Sequence, residues 1–388
     1  MRMGRRKFTA VLASYLLFFG SIQAAQQYLY LSSGDNSLSK ENHDKITVYA
    51  VDEDSGKLSE IQALKFPSSG PMTTSPNNDF LYSWTFSGSK NTRMEPFIAT
   101  LKINPDGRLK LLHRSPIDEL ICYLKTDQTG RYLAGTNYFS GNVMVWNLDD
   151  GVYRGEMVSK IDLELKTHST LFSADNQFLL VPATEPNKVF VNTFNSDTGT
   201  IAPHSPAHGS GPPGVSDARQ PRYLVFNQQS KDIAYTTLER ENAGVGVWKW
   251  DDKKGSIEII QSITTMPEQY EGRITTADLH LTPDNRYLYI SRRNIPVDNV
   301  DIENPTDAII GFSVNPETGK LIEIGRTPCE RIPRSFVIDE KGKYLYVAGQ
   351  GEDTLGVYSI GGDGSLRRII QYEVGKLPTW LLCFSPSF

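Results

Sequence analysis

Apolar and polar positions along the chain follow a short pattern that recurs seven times: a polar turn, a basic or polar residue, an aromatic or β-branched anchor, and an apolar strand. The two clearest copies are T-P-D-N-R-Y-L-Y at 282–289 and D-E-K-G-K-Y-L-Y at 339–346. The anchors are Tyr28, Phe80, Tyr132, Phe178, Ile233, Tyr287 and Tyr344. Their spacing of 46 to 57 residues is typical of a β-propeller, in which each repeat forms one blade.

A glycine follows each anchor and marks a tight turn before a later strand. These glycines are Gly56, Gly107, Gly151, Gly199, Gly255, Gly319 and Gly364. In N-P-D-G-R-L at 104–109 an apolar strand resumes directly after the glycine, which is typical of a β-hairpin. Two patterns with the same count predict an all-β fold, a seven-bladed β-propeller of four-stranded antiparallel blades.

The C-terminal segment 377–386, L-P-T-W-L-L-C-F-S-P, resembles the first strand of a repeat whose remaining strands are missing. Those strands stand at the other end of the chain, beginning with Y-L-Y-L at 28–31. Pairing the C-terminal strand with the N-terminal repeat would close the ring and remove its free edges. We therefore expect one domain over residues 25–388.

The first residues follow a different pattern. A basic stretch containing Arg5, Arg6 and Lys7 precedes an apolar run at 8–20 and the small residues Ala24 and Ala25. This layout is typical of a signal peptide, here residues 1–24, and predicts an exported protein that is periplasmic or secreted and not inserted in the membrane after cleavage. The arginine pair also leaves a twin-arginine signal open, and an uncleaved anchor is a further alternative.

Charge and cysteine usage exclude several classes of partner. Removing residues 1–24 takes away four positive charges and moves the formal net charge from −5 to −9, which argues against nucleic acid or an anionic membrane as partner. The residues Cys122, Cys329 and Cys383 lack the spacing of a zinc site. We expect buried free thiols, with one disulfide as the alternative, and neither a metal nor a cofactor.

Candidate site residues follow from the direction of the strands. In an antiparallel blade the innermost strand begins at the face where the second strand ends, so residues at these positions converge on one mouth of the central channel. These positions are Asn137, Tyr138, His168, Arg222, Glu239, Asp278, His280, Arg293, Arg334 and Gln350. The sequence therefore predicts a pocket at this mouth, formed mainly by repeats four to six.

The types of residue in this set indicate a chemistry. Arg222 and Arg293 can hold a carboxylate or phosphate and stabilise an oxyanion, while His168 or Glu239 can move a proton. We expect these four to be catalytic and the other six to bind substrate. Other roles stay open from the sequence: Glu239 could pair only with an arginine, and Asp278 and His280 in A-D-L-H could form a hydrogen bond that stabilises the blade.

Four stretches resemble the seven-bladed lactonase family: H-S-T-L-F-S-A-D-N at 168–176, Q-P-R-Y-L-V-F-N at 220–227, Y-T-T-L-E-R at 235–240 and A-D-L-H-L-T-P-D-N-R-Y-L-Y at 277–289. That family includes propeller-type 6-phosphogluconolactonases and 3-carboxy-cis,cis-muconate lactonizing enzymes. The resemblance spans residues 26–387 and implies that His168, Arg222, Glu239 and Arg293 occupy catalytic positions. The family commonly shows G-P-R-H where this chain has Q-P-R-Y, so Tyr223 replaces a second imidazole.

Several functions are compatible with this site. Our main interpretation is hydrolysis of a sugar or sugar-acid lactone, a small anionic substrate, and the alternative enzyme activity is muconate-type lactonization. A propeller need not be an enzyme, so exported binding through an acidic insertion at 294–307 and a loop at 204–214 is a third possibility. Calcium-dependent lactone hydrolysis is typical of six blades and is disfavoured by seven repeats. The oligomeric state is left open by the sequence.

Overall fold

The computed structural model describes residues 26–34, 45–65, 70–87, 95–214, 220–240, 243–298, 302–303 and 305–387. Over these ranges 28 strands form seven antiparallel sheets of four strands, which confirms the predicted seven-bladed propeller. The predicted signal peptide at 1–24 lies outside the described residues. Among the described residues, no helix has the length and hydropathy needed to cross a membrane.

Each blade consists of four strands that follow one another from the channel outward. Blade 1 contains β28 (Pro378–Phe384), β1 (Tyr28–Ser33), β2 (Lys45–Val51) and β3 (Leu58–Lys65). Blade 2 contains β4 (Met72–Thr74), β5 (Phe80–Ser87), β6 (Glu95–Ile103) and β7 (Leu109–Pro116). Blade 3 contains β8 (Tyr123–Thr126), β9 (Tyr132–Thr136), β10 (Asn142–Asp149) and β11 (Val152–Asp162).

The other four blades follow the same order. Blade 4 contains β12 (Leu171–Phe172), β13 (Phe178–Ala183), β14 (Lys188–Asn195) and β15 (Thr200–Ser210). Blade 5 contains β16 (Pro221–Phe226), β17 (Ile233–Leu238), β18 (Gly244–Asp251) and β19 (Ser256–Thr264). Blade 6 contains β20 (Arg273–Leu281), β21 (Tyr287–Ile295), β22 (Ala308–Val314) and β23 (Leu321–Pro328). Blade 7 contains β24 (Pro333–Ile338), β25 (Tyr344–Gly349), β26 (Thr354–Ile360) and β27 (Leu366–Glu373).

The two repeating sequence patterns are the two halves of one contact between blades. Each anchor is the first residue of the second strand of its blade, and each glycine lies in the hairpin between the third and fourth strands, with φ between 58° and 80°. The ring of Tyr28 in blade 1 covers Gly107 in blade 2, where a Cβ would overlap it. Because each hairpin lies directly against the neighbouring anchor, no residue larger than glycine fits there.

The same contact joins the two ends of the ring. The ring of Tyr344 in blade 7 lies against Gly56 in blade 1, and the hydroxyl of Tyr346 donates to the carbonyl oxygen of Gly56 at 3.2 Å. Within blade 1, β28 pairs with β1, and the rings of Tyr30 and Phe384 stack with centroids 4.7 Å apart. The predicted closure by the C-terminal strand is thus confirmed.

Apolar side chains fill the space between blades. Seven buried clusters occur among the described residues, one at each interface between neighbouring blades. Burying one large aliphatic or aromatic side chain contributes about 1.5–3 kcal/mol, so these clusters hold the blades as one body. The strand ends at the channel mouth are therefore fixed relative to one another.

One local expectation is wrong. The Pro- and Ser-rich segment at 204–214, expected to be a loop, is largely strand β15 (Thr200–Ser210), the outermost strand of blade 4. An edge strand tolerates proline because its outward N–H groups have no partner strand. The imidazole of His204 packs against Phe178 with centroids 5.1 Å apart, so this segment is part of the blade. Cys122, Cys329 and Cys383 are free thiols.

Candidate functional site at one mouth of the channel

Four of the predicted residues lie together where inner strands begin and second strands end. His168 precedes β12, and its backbone N donates to the carbonyl oxygen of Pro182 at 2.9 Å. Arg222 lies in β16, Glu239 directly follows β17, and Arg293 lies near the end of β21. The backbone N of Glu239 donates to the carbonyl oxygen of Gln220 at 2.6 Å, and its carbonyl oxygen accepts from the backbone N of Thr276 in blade 6 at 3.0 Å, which fixes its position.

Glu239 lies between two guanidinium groups. Its Oε1 is 3.4 Å from Nε of Arg222 and 3.5 Å from Nη2 of Arg293. Arg222 also donates from Nη1 to the carbonyl oxygen of Ala277 at 2.6 Å. Its Nε and Nη2, and Nε of Arg293, have no hydrogen-bond acceptor among the described residues. Donors without acceptors are rare in a protein interior, which makes these the candidates to bind a water or an oxygen of a ligand.

Positive charge dominates this cluster. Arg222 is fully buried and Arg293 is 4% exposed. Burial, together with the neighbouring Arg222 and Arg334, lowers the pKa of Arg293 to about 9, so it stays charged at neutral pH. Three guanidinium groups thus face one carboxylate. The excess favours binding of an anion.

His168 lies beside these charges and is 5% exposed. Its ring contacts the edges of Tyr138 and Tyr223, with centroids 5.4 and 5.1 Å away. Burial, followed by the nearby arginines, holds the pKa of His168 well below its ordinary value. The imidazole is therefore neutral at pH 7 and able to accept a proton.

A cavity of about 450 Å³, which we call the upper cavity, opens at this mouth. Its lining includes Cys122, Tyr138, Arg334, Gln350 and Trp380. The guanidinium of Arg334 makes no hydrogen bond or ion pair with a described residue, and burial, followed by Arg222, lowers its pKa. The four catalytic candidates form a buried cluster beside this lining. Tyr138 connects the cluster to the cavity, because its ring contacts His168 and also lines the cavity.

An aromatic layer lies between the upper cavity and a second space, and its Trp380 ring lines both. The rings of Tyr123, Tyr223 and Trp380 meet there, with centroid separations of 5.3 to 6.1 Å. We call these three rings the septum. Beyond it lies a second space of about 970 Å³, the lower cavity, whose lining includes all three rings. The sequence interpretation missed the septum, although C-Y-L, R-Y-L and T-W-L at 122–124, 222–224 and 379–381 place an aromatic at the same position of three inner strands.

Two predicted binding residues lie elsewhere. Asp278 and His280 line the lower cavity, and Nε2 of His280 is 3.3 Å from Oδ1 of Asp278. Oδ2 of Asp278 accepts from Oγ of Ser335 at 3.0 Å and from the backbone N of Phe336 at 3.2 Å. This pair connects blades 6 and 7, and the structure does not place it with His168 at the mouth.

Asn137 supports the loop that presents Tyr138. Its Nδ2 donates to Oε2 of Glu119 at 2.5 Å, and its Oδ1 accepts from the backbone N of Phe139 at 2.9 Å. Glu119 also accepts from Nδ2 of Asn142 at 2.9 Å, so one carboxylate holds both ends of the loop. The side chain of Asn137 is thus already engaged by the protein.

Catalysis by a cysteine nucleophile and catalysis by a metal ion find little support in the geometry. Burial raises the pKa of the Cys122 thiol, which therefore stays protonated and is a poor nucleophile. Over the part of the chain that the structure describes, no three or more His, Cys, Asp or Glu side chains are grouped so that they could hold a metal ion.

Comparison with known proteins identifies relatives over nearly the whole chain. The family model described as "Lactonase, 7-bladed beta-propeller" matches residues 28–383. A 6-phosphogluconolactonase of Klebsiella pneumoniae is 32% identical over 341 residues, covering 87% of this chain and 95% of that protein. A 6-phosphogluconolactonase of Cronobacter sakazakii is 33% identical, covering 85% and 92%. The structure of the Pseudomonas aeruginosa periplasmic gluconolactonase PpgL has a TM-score of 0.80 at 23% identity, covering 93% of this chain and 100% of that one, and supports the fold.

Proposed function

Because the chain belongs to the seven-bladed β-propeller lactonase family, we propose that it hydrolyses the lactone of a sugar acid at the channel mouth where the upper cavity opens. The observation that supports this most directly is a neutral, buried imidazole beside three arginines with unused donors. The curated relatives are named 6-phosphogluconolactonases. We propose a gluconolactone, phosphorylated or not, as the substrate.

Substrate binding is assigned to the upper cavity. Arg334 has a free guanidinium there, and the side-chain amide of Gln350 has no hydrogen-bond partner among the described residues, so both can contact a polyhydroxylated anion. Arginine binds phosphate and carboxylate oxygens in pairs, which fixes the orientation of the ligand as well as adding affinity. The anionic group of the substrate would therefore contact Arg334, with the lactone carbonyl toward Arg222 and Arg293.

The chemical step needs a base and a site for the oxyanion. His168 would accept a proton from water as the water oxygen attacks the lactone carbonyl. The unused donors of Arg222 and Arg293 would stabilise the negative charge that develops on the carbonyl oxygen. The bond between the carbonyl carbon and the ring oxygen then breaks, and His168 returns the proton to that oxygen. The products are an alcohol and a carboxylic acid, which loses its remaining proton to solvent and becomes a carboxylate.

Glu239 has a positioning role in this scheme. Its Oε1 faces two guanidinium groups at once, so it balances their charge and sets their spacing. A carboxylate held by two cations is a weak proton acceptor compared with the neutral imidazole nearby. We therefore assign the base to His168.

The alternatives from the sequence are less well supported. The two curated relatives compared above are named as lactone hydrolases, which favours hydrolysis over muconate-type lactonization. A purely binding propeller does not need a buried neutral imidazole beside unused arginine donors. Export remains a proposal that rests on the pattern at 1–24, and the periplasmic gluconolactonase among the structural neighbours is compatible with it.

Direct assay tests the proposal. We would purify the protein beginning at Ala25 and follow acid release from glucono-δ-lactone and from 6-phosphogluconolactone, each corrected for spontaneous hydrolysis. Turnover of either lactone that falls with His168→Asn supports the proposal. If neither is hydrolysed above the spontaneous rate, and a carboxymuconate is converted instead, lactonization replaces it.

A further inference from the structure

The lower cavity, on the far side of the septum, contains a cation without a partner among the described residues. Lys125 lies in β8 two residues after Tyr123, so both side chains emerge on the same side of the strand, about 7 Å apart along it. The Lys125 ammonium makes no hydrogen bond or ion pair with a described residue, and burial lowers its pKa. Lys125 is half-buried, and an ammonium that is partly removed from water without an acceptor favours a bound anion.

Two more unused donors lie in the same region. Tyr123 and Tyr223 both line the lower cavity and are absent from the lining of the upper one. Neither hydroxyl has a hydrogen-bond partner among the described residues, and Tyr223 is 6% exposed. Burial raises the pKa of both phenols, so both stay protonated and can donate. Their ring centroids are 5.3 Å apart, which brings three donors to the inner end of one cavity.

The rest of the cavity suits a hydroxylated molecule. Between the septum and the opening the lining combines apolar residues such as Val225 and Leu382 with amides such as Gln128 and Asn227. Four carboxylates also line the cavity, those of Asp175, Asp232, Asp252 and Asp278. Asp278 is 7% exposed and already accepts from Ser335 and Phe336. Asp232 is paired with Lys249, Asp175 accepts within its own turn, and these two and Asp252 are exposed and screened by solvent, whereas Lys125 is half-buried.

We propose that the lower cavity is a second binding site, separate from the proposed catalytic site, for a small hydroxylated carboxylate. The carboxylate would contact the ammonium of Lys125 and the hydroxyls of Tyr123 and Tyr223, and the hydroxylated body would extend toward the opening. The volume of about 970 Å³ is ample for a six-carbon sugar acid. This site does not depend on whether the upper site hydrolyses lactones.

Sodium gluconate is the probe, and glucose is the control for its uncharged body. In the mature chain, we expect saturating gluconate to slow reductive methylation of Lys125 at least fivefold, measured by peptide mass spectrometry. Methylation of Lys231, at the opening of the same cavity, should not change, and glucose should protect neither lysine. Protection that persists in Arg334→Met places the ligand in the lower cavity.

Calorimetry provides the second readout. In the Arg334→Met protein, adding Lys125→Met should weaken gluconate binding at least tenfold, as expected for loss of a charge-assisted hydrogen bond, while Lys231→Met should leave it unchanged. Lys125→Met alone should keep lactone turnover within twofold, because Lys125 lies across the septum from the proposed reacting groups. Equal methylation of Lys125 with and without gluconate, or unchanged affinity in Lys125→Met, would overturn the proposal.

Discussion

Oε1 of Glu239 lies 3.4 Å from Nε of Arg222, which has no exposed surface. Arg293 contacts the same oxygen, so a single carboxylate balances two buried cations. Removing one partner of such a group leaves charge uncompensated in the interior, which typically costs about 3–5 kcal/mol. The relationship therefore links the stability of the mouth to its proposed chemistry.

We predict that Glu239→Gln lowers both stability and kcat. An amide cannot balance two guanidinium groups, so the arginines should move apart and stabilise the oxyanion less well. We expect a loss of about 3 kcal/mol in the free energy of unfolding and a fall in kcat of about a hundredfold. Urea unfolding and lactone hydrolysis measure the two effects.

Glu330→Gln provides a matched control for that change. Glu330 is fully buried, with Oε1 3.0 Å from Nη2 of Arg368, but it lies by blade 7 and outside both cavity linings. It should lose stability with kcat unchanged. Equal loss of activity in both variants would mean that Glu239 acts only through folding.

The activity should persist to unusually low pH. Only the neutral imidazole accepts a proton, and the pKa of His168 is lowered by burial and by the arginines around it. As the pH falls, kcat should therefore stay constant until the pH is below the ordinary histidine pKa of about 6.5. The test is the pH dependence of kcat, with His280→Gln as a control that keeps the profile. An acid limb at or above that value would contradict the assignment of His168 as base.

Arg334→Met should impair substrate binding without loss of stability. The Arg334 guanidinium makes no hydrogen bond or ion pair with a described residue, so replacing it removes no internal contact of that kind. We expect the free energy of unfolding to change by no more than about 0.5 kcal/mol and kcat/KM to fall roughly a hundredfold. Arg326→Met, which breaks an exposed pair with Glu323, should leave kinetics unchanged. A large loss of stability in Arg334→Met would indicate a structural role instead.

Gly107→Ala should destabilise the propeller. Gly107 has φ of 76°, and an added Cβ would overlap the ring of Tyr28. The left-handed backbone costs an L-residue about 1–2 kcal/mol and overpacking adds about 1–3 kcal/mol, so we expect a loss of about 2–5 kcal/mol. Thermal unfolding gives the measurement. Gly362→Ala, where nothing lies within 4 Å, should have no such cost, and equal Tm values for the two variants would contradict this account.

Deleting residues 377–388 should prevent folding. The deletion removes β28, which exposes the edge of β1 and separates Tyr30 from Phe384. Ending the chain after Ser385 keeps β28 and should be tolerated. Circular dichroism and gel filtration distinguish the outcomes, and a folded monomer lacking 377–388 would show that closure is not required.

The fold could be predicted because the same contact between neighbouring blades is repeated around the ring. An anchor such as Tyr28 and a glycine such as Gly107 can each be recognised in the sequence. The number of anchors gives the number of blades, and their order along the chain gives the order of the strands. Closure by β28 could be predicted for the same reason. The error at β15 arose because proline and serine are common both in loops and in edge strands, and composition alone does not separate the two.

The candidate site was only partly accessible from the sequence. Strand ends place His168, Arg222, Glu239 and Arg293 at one mouth, since direction along the channel follows from strand order. Which cavity a side chain lines does not follow from strand order, because it depends on which side chains meet from opposite blades. Asp278 therefore appeared to share the mouth, whereas it lies beyond the septum and bonds to blade 7.

Because the rings of Tyr123, Tyr223 and Trp380 meet between the upper and the lower cavity, we expect the septum to block passage from one cavity to the other. A molecule that enters the upper cavity would then leave through the same opening. The departing acid therefore occupies the opening through which the next lactone must enter. Product release and substrate entry are then mutually exclusive, so accumulating acid should act as a competitive inhibitor. The rate of product release should also contribute to kcat.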